Sequence, residues 1–321
     1  MSLYMPIAEI ALDLFVLIGL GFSVGVLSGM FGIGGGFILT PALIMLGVPS
    51  LVAVGTGALQ VIASSVSGAM RHWHQGNVDQ KMGRLLILGG LVGAVLGVQM
   101  QGYLKALGQL DLFIALNYVV VLGVIGTLML SEGLVSWRKA VGKPADAPTM
   151  RRPGQHSFLQ RMPFKMRFRQ SKLYASAIPP VAIGTLVGWL TAIMGVGGGF
   201  VIVPALIYLV RVPTRIAIGT SALQIIFVSA FNTVIQSTQN YNVDVLLGVP
   251  LIFGGVIGAQ RGVALAGRIR SEGLRVLLGM LVLGIALRMG VDLVRKPLDL
   301  YSVETQQVVV PENEQPDGSG R

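Results

Sequence analysis

The stretch Gly32-Ile-Gly-Gly-Gly-Phe-Ile-Leu-Thr-Pro-Ala-Leu-Ile44 returns later in the chain as Gly195-Val-Gly-Gly-Gly-Phe-Val-Ile-Val-Pro-Ala-Leu-Ile207, with nine identities in thirteen positions. Three further motifs follow in the same order in both copies: Gly-Thr-x-Ala-Leu-Gln, Asn-Val-Asp and Gly-Gly-x-x-Gly-Ala. They begin at Gly55, Asn77 and Gly89 in the first copy and at Gly219, Asn242 and Gly254 in the second. The offset drifts only from 163 to 165 residues, which indicates an internal duplication.

The composition places this duplicated chain in a membrane. Of its 321 residues, 53% are hydrophobic and 12% are charged, and the mean hydropathy is +0.74. The charged fraction is about half that of a soluble protein, which is too low to cover a soluble surface. Glycine is about twice as frequent as average, and this favours close helix packing in lipid. Cysteine is absent, which excludes disulfides, Cys-ligated metals and a thiol nucleophile.

Ten apolar runs follow one another, five in each copy of the repeat. They cover residues 8–31, 36–46, 51–71, 84–103 and 111–131, and then 176–194, 199–209, 216–236, 246–266 and 275–294. A helix needs about 20 residues to span the hydrocarbon core. Eight runs reach that length, and the second run of each copy is much shorter. The first run is too long for the core of a signal peptide and is interpreted as a membrane segment.

We therefore predict an all-α integral membrane protein with two inverted five-segment repeats, each containing a broken or re-entrant half-helix. The expected divisions are a first membrane repeat at 1–135, a basic cytoplasmic loop at 136–175, a second, inverted repeat at 176–296 and a flexible acidic tail at 297–321. Two interpretations of the short segment stay open. It crosses the membrane with help from its neighbour, or it pairs with the preceding helix as a re-entrant hairpin.

An odd number of segments per repeat inverts the second copy, and the loop charges agree with this. The segment from Trp137 to Lys172 holds ten Lys or Arg residues and one acidic residue, so the positive-inside rule puts it in the cytoplasm. The 71–84 loop then lies inside and carries three Lys or Arg residues, whereas its repeat partner 237–245 has none. This opposite bias predicts a bacterial cytoplasmic membrane protein with both termini outside.

The adjacent glycines of each copy are the sharpest local signal. A glycine within a helix costs about 1 kcal/mol relative to alanine, so three in a row predict an unwound stretch that opens the next short helix. These glycines are Gly34, Gly35 and Gly36, and Gly197, Gly198 and Gly199. The first N–H groups of a helix are unpaired and lie at the positive end of its dipole. Two such starts could face one anionic substrate; the alternative is that the glycines serve only close helix packing.

The helix that follows in each copy adds neutral hydrogen-bond donors. Thr56 and Gln60, like Thr220 and Gln224, are four residues apart and share one helix face. An unpaired amide is costly in hydrocarbon, so each glutamine must bond either another helix or a ligand, and both alternatives stay open. Weaker candidates are Ser64, Ser65, Asn232 and Gln236.

The sequence contains no recognisable motif of an enzyme, a metal site or a nucleotide-binding site. The glycine clusters fail the Gly-x-Gly-x-x-Gly fingerprint because Phe37 and Phe200 occupy its last position, and no P-loop lysine follows them. His72-Trp73-His74 has the wrong helical spacing for two metal ligands and is interpreted as an interfacial motif. We predict no catalytic residue, no metal and no cofactor. The basic segment lacks the context of a nucleic-acid site, so no nucleic-acid partner is predicted.

The repeated motifs resemble those of the sulfite exporter TauE/SafE family: Gly-x-Gly-Gly-Gly-Phe…Pro-Ala-Leu, Gly-Thr-x-Ala-Leu-Gln and Asn-Val-Asp. The resemblance covers residues 10–131 and 176–294 and leaves out the basic segment and the tail. It implies transport of small sulfur-containing or organic anions, such as sulfite, sulfoacetate or other sulfonates, across the bacterial cytoplasmic membrane. It also implies that the matched positions line the pathway, namely Gly34–Gly36, Gln60, Gly197–Gly199 and Gln224.

The leading hypothesis is a secondary transporter that moves such anions by alternating access, with the bilayer and the small anion as its partners. A passive anion channel is the alternative, because channels also use helix dipoles and neutral donors. A membrane scaffold or enzyme is a third hypothesis with little support. A homo-oligomer is compatible with the sequence, which does not specify one.

Overall fold

The computed structural model describes residues 2–31, 34–140, 163–168, 170–171, 173–266 and 271–294, and these residues form ten α-helices. The first five are α1 Leu14–Phe31, α2 Gly36–Met45, α3 Ser50–His74, α4 Gln80–Ala106 and α5 Leu110–Ala140. The second five are α6 Ile178–Met194, α7 Gly199–Ala205, α8 Thr214–Ile235, α9 Val245–Ala266 and α10 Ser271–Val294. Short π-helical turns extend α7 over Leu206–Val210 and α8 over Gln236–Asn240. The predicted tail at 297–321 and residues 141–162 of the predicted basic loop lie outside the described residues.

Seven helices in the described ranges are long and apolar enough to cross a membrane: α1, α3, α4, α5, α8, α9 and α10. Helix α6 has 17 residues, so the predicted run at 176–194 forms a helix at the lower limit of a membrane span. The second helix of each copy is short, as predicted. The prediction of a helical protein with membrane-spanning segments is therefore confirmed.

Two β-hairpins interrupt the helical pattern, and the all-α prediction did not include them. Strand β1 (Ser2–Met5) pairs antiparallel with β2 (Ile10–Asp13), and β3 (Lys165–Phe168) pairs antiparallel with β4 (Leu173–Ser176). The prediction that residues 8–31 form one membrane segment was wrong at its start, because the chain becomes helical only at Leu14. Each hairpin inserts one large, fully buried apolar side chain, Met5 or Phe168, among the helices.

Glycines spaced by four allow two pairs of helices to pack with their backbones in contact. Helix α1 packs along α9, and α4 packs along α6. A Cβ at Gly21 would lie 2.5 Å from the carbonyl oxygen of Leu251, which is too close for any real side chain. The other glycines in these seams are Gly25, Gly29, Gly89, Gly93, Gly97, Gly184, Gly188, Gly254, Gly258 and Gly262. The seams follow the small-residue spacing that membrane helices use for close contact.

Helices α3 and α8 pack against each other and run antiparallel. Thr56, near the start of α3, accepts a hydrogen bond from the N–H of Asp244, which lies beyond the end of α8 (3.0 Å). Thr220, near the start of α8, accepts one from the N–H of Asp79, which lies beyond the end of α3 (3.1 Å). The same threonine–aspartate contact therefore occurs once at each end of this helix pair.

The aspartates of the two Asn-Val-Asp motifs tie the hairpins to the helices. Asp79 caps α4 by accepting from the N–H of Met82, and its Oδ2 accepts from the N–H and the Oγ of Ser171 between β3 and β4. Asp244 accepts from two N–H groups at the start of α9 and from two in the turn between β1 and β2. Both carboxylates are buried, so each is a structural centre for its hairpin.

The short helices turn back along the helices that precede them. At the break before α2, Gly35 lies against Val24 and Ser28 of α1. Residues nearer the end of α2 share a buried cluster with Leu17 of α1 and with Met5. The second copy repeats this arrangement, with Gly198 against Val187 and Thr191 and with the end of α7 clustered with Ile183 and Phe168. In both copies the short helix therefore packs beside the helix that precedes it.

Candidate functional site

Each glycine cluster breaks the helix, as predicted. Gly34 and Gly35 have φ angles of 82° and 49°, and Gly197 and Gly198 have φ angles of 74° and 72°. These are left-handed conformations that glycine adopts without steric cost. Helix α2 then begins at Gly36 and α7 begins at Gly199. The prediction of an unwound stretch that opens each short helix is confirmed.

The two breaks meet inside the protein. The rings of Phe37 and Phe200, one residue into the two short helices, have centroids 5.6 Å apart. A Cβ at Gly36 would lie 2.8 Å from the carbonyl oxygen of Val196 in the opposite break. Both phenylalanines are fully buried. The starts of α2 and α7, which are remote in sequence, are therefore neighbours.

Helices α3 and α8 wall the meeting point with residues that correspond between the copies. Val61 and Ile225 both lie beside Gly34 and beside Gly197. Ser65 Oγ would be 3.2 Å from a Cβ at Gly34, and Ser229 Oγ would be 3.5 Å from a Cβ at Gly197. Both hydroxyls are buried and find no hydrogen-bond partner among the described residues. The immediate surroundings of the breaks are therefore mainly apolar, with hydroxyl residues from both copies.

Gln60 and Gln224 directly precede Val61 and Ile225 in sequence, and both glutamines are buried. Both are 0% exposed, and none of their four amide oxygen and nitrogen atoms has a hydrogen-bond partner in the described part of the chain. Gln60 packs against Gly255 of α9, where a Cβ would come within 2.6 Å of its Nε2. Gln224 packs in the same way against Gly90 of α4. Of the two predicted alternatives for these amides, a bond to another helix does not occur among the described residues.

The other predicted residues separate into two groups. The six glycines lie at the breaks, but Thr56 and Thr220 lie at the ends of α3 and α8, where each accepts a backbone hydrogen bond from an aspartate. Of the weaker candidates, Ser64 donates to a carbonyl of its own helix, whereas Ser65 reaches the break. Each threonine shares a helix face with its glutamine but does not lie at the same depth. A helix rises 1.5 Å per residue, so two residues that are four apart in sequence lie about 6 Å apart along the axis.

The sequence prediction did not identify three polar residues of this region. Ser229 stands 164 residues after Ser65, the same offset as Gln224 from Gln60, so the repeat itself held the signal. Tyr118 of α5 donates its hydroxyl hydrogen bond to the carbonyl of Met194 beside the second break. Gln101 of α4 bonds the carbonyl of Ala192 and the side chain of Gln236. No local pattern marks Tyr118 or Gln101, because their partners are far away in sequence.

The structure thus combines several helices that are long and apolar enough to span a membrane with buried, neutral polar residues near the point where the two glycine breaks meet. This is the architecture of a multi-pass membrane transporter. The chain belongs to the sulfite exporter TauE/SafE family, whose model matches residues 17–289. The family consists of transporters and not of enzymes, in agreement with the sequence.

Known relatives are similar over most of their length. A protein of Xylella fastidiosa (strain 9a5c) described as a probable membrane transporter protein is 31% identical over 283 residues, which cover 86% of this chain and 94% of the relative. The probable membrane transporter protein YunE of Bacillus subtilis (strain 168) is 26% identical, over 80% of this chain and 90% of the relative. A probable membrane transporter protein of Methanocaldococcus jannaschii is 25% identical, over 85% and 94%. No solved structure matches the chain.

Proposed function

We propose that this protein is a secondary transporter that moves small sulfur-containing or organic anions, such as sulfite, sulfoacetate or other sulfonates, across the cytoplasmic membrane by alternating access. The observation that carries the proposal is the pair Gln60 and Gln224, whose buried amides lack protein partners among the described residues. A buried polar group without a partner costs about 1–3 kcal/mol. Two such groups at equivalent positions are best explained by a ligand that both of them bind.

An anion fits the donors that converge here. Two helix starts bring the positive ends of their dipoles, and Ser65 and Ser229 add hydroxyl donors. The side chains nearest the glycines of the breaks are apolar or carry a hydroxyl. Neutral donors suit an oxyanion that must also be released, since a fixed arginine would bind it more strongly. The family name supports a sulfur oxyanion.

The two halves would be inverted in the membrane and would rock about this centre. The antiparallel packing of α3 and α8 supports the inversion, as does the exchange of threonine–aspartate contacts at the two ends of this pair. The loop charges support the orientation: Lys81 and Arg84 follow α3, whereas 237–245 has no Lys or Arg. We propose a cytoplasmic central segment and external termini.

Thermal unfolding of the purified protein with sulfite, sulfoacetate, taurine, sulfate, thiosulfate, acetate and chloride tests the substrate class. A ligand at 100 times its Kd stabilises by about 2.7 kcal/mol. We expect sulfite or a sulfonate to stabilise the wild type and to lose this effect in Gln60→Leu and Gln224→Leu, which keep the side-chain volume. Gln99→Leu is the matched control, because Gln99 lies on α4 and is exposed. If the anion stabilised all three variants equally, the two glutamines would not belong to the binding site.

Flux through proteoliposomes separates the carrier from the channel. A carrier saturates and shows counterflow, in which unlabelled anion on one side drives accumulation of labelled anion from the other. A channel instead follows the membrane potential with high unitary currents. Saturable flux with counterflow is expected, and its absence alongside single-channel currents would overturn alternating access.

Cysteine labelling tests the topology without any background, because the chain contains no cysteine. Gln75→Cys reports on the loop after α3, and Ser237→Cys reports on the π-helical turn that ends α8, where Ser237 is exposed. With a membrane-impermeant maleimide applied to intact cells, we expect Ser237→Cys to be labelled and Gln75→Cys to be protected. Labelling of both from the same side would contradict the inverted arrangement.

A further inference from the structure

We propose that α8 carries a second, weaker anion-binding station, formed by Asn232 and Thr233, between the central breaks and the end of α8 at Asn240. The proposal rests on the proposed function, because the station would take the same small oxyanion on its way to or from the centre. A short chain of hydrogen-bonded amides, Gln101, Gln236 and Asn240, would bound the station on its outer side.

The face of α8 that meets the breaks continues in polar residues. Ile225 and Ser229 of this face lie beside Gly197. Residues three, four and seven positions further share this face of a helix, and in α8 they are Asn232, Thr233 and Gln236. Gln236 contacts Gln101 of α4. Asn232 and Thr233 therefore lie along the line from the second break to the Gln101–Gln236 pair.

Burial without partners makes this segment a binding site and not merely a polar surface. Asn232 is 0% exposed and Thr233 is 9% exposed. Neither amide atom of Asn232, nor Oγ1 of Thr233, has a hydrogen-bond partner among the described residues. Two of these three atoms, Asn232 Nδ2 and Thr233 Oγ1, supply N–H and O–H donors, which is the chemistry that recognises an oxyanion.

The amide chain next to the station can release donors to a passing anion. Asn240 Nδ2 donates to Gln236 Oε1 (2.7 Å), Gln236 Nε2 donates to Gln101 Oε1 (2.6 Å), and Gln101 Nε2 donates to the carbonyl of Ala192 (2.9 Å). An amide nitrogen carries two N–H groups, and among the described residues each of these three nitrogens donates one hydrogen bond. The second N–H of Gln236 or Gln101 is available to an anion that arrives at Asn232.

The first copy offers no equivalent path. The positions of α3 that precede Asn232, Thr233 and Gln236 by 164 residues are Gly68, Ala69 and His72. Two of these have no side-chain donor. The station would thus serve only one face of the membrane, the one at which α8 ends, and the transporter would hold the anion differently on its two sides although its centre is built from a repeat.

Equilibrium binding of radiolabelled sulfite to the purified full-length protein tests the station. We expect two phases in the wild type, and loss of only the weaker phase in Asn232→Leu/Thr233→Val, with less than a twofold change in the Kd of the tighter phase. Thr238→Val is the matched control, because the exposed Thr238 bonds only its own helix and should leave both phases unchanged. Leucine and valine replace groups that have no protein partner, so the double variant should unfold at or above the wild-type temperature.

The outcomes separate this proposal from the proposed function. A single phase in the wild type up to 100 times the tighter Kd, or two phases in the double variant, overturns the station while leaving the central site standing. Loss of the tighter phase in Gln60→Leu with the weaker phase retained supports both proposals. No saturable binding of sulfite, sulfoacetate or taurine to the wild type overturns both.

Discussion

The substitution Asp244→Asn should destabilise the protein strongly although it changes neither size nor shape. One carboxylate serves four N–H donors: Oδ2 accepts from Ile7 (3.0 Å) and Ala8 (3.3 Å), and Oδ1 accepts from Leu246 (3.0 Å) and Leu247 (3.1 Å). Asparagine keeps one oxygen and places an NH₂ group against the other two donors. Either the turn between β1 and β2 or the start of α9 must then lose its acceptor.

The magnitude follows from the two lost hydrogen bonds. A hydrogen bond to a charged group contributes about 1.5–3 kcal/mol, so losing two costs about 3–6 kcal/mol of unfolding free energy. Release of the hairpin would also expose Met5, which is fully buried. The effect of Asp244→Asn should therefore combine a lower unfolding free energy with faster amide exchange at residues 7 and 8.

Denaturant unfolding in mixed micelles measures the first effect, and hydrogen exchange followed by mass spectrometry measures the second. Asp292→Asn is the matched control, because Asp292 forms an exposed pair with Arg288 on α10 (3.4 Å) and such pairs contribute only about 0–1 kcal/mol. If Asp244→Asn were no less stable than Asp292→Asn, with unchanged exchange at the hairpin, the carboxylate would not hold the hairpin to α9.

Three further predictions concern packing and the site. In α1, Gly21→Ala should destabilise the protein in thermal unfolding because its Cβ would lie 2.5 Å from a carbonyl oxygen of α9, whereas Gly19→Ala, with nothing within 4 Å, should not; equal effects would refute the close seam. Gln60→Leu should raise the unfolding free energy by about 1–3 kcal/mol, since it removes unpartnered amide atoms, and a lower stability would reveal a protein partner. Tyr118→Phe should lower the unfolding free energy by about 1–3 kcal/mol, because a buried carbonyl beside the second break loses its donor; an unchanged value would show that this bond is dispensable.

Much of the fold followed from local pattern. Apolar length and glycine content predicted a helical membrane protein. The glycines at 34–36 and 197–199 predicted the two breaks, because the cost of glycine in a helix depends only on nearby backbone. Burial of Gln60 and Gln224 followed from their position within long apolar segments. The repeat offset also held the position of Ser229, which the sequence prediction did not use.

The remaining features depended on tertiary contacts. Residues 8–13 begin the first apolar run of the sequence, but their pairing with β1 and the bonds from Ile7 and Ala8 to Asp244, more than 230 residues away, make them part of a hairpin. Thr56 and Gln60 share one face, yet Thr56 meets a distant aspartate and Gln60 meets Gly255. The sequence by itself determined which segments are long and apolar enough to cross a membrane and where glycines break them, because those properties are short-range. Only the tertiary structure decided that the two breaks meet and which donors surround them, because packing between segments separated by more than 100 residues sets those contacts.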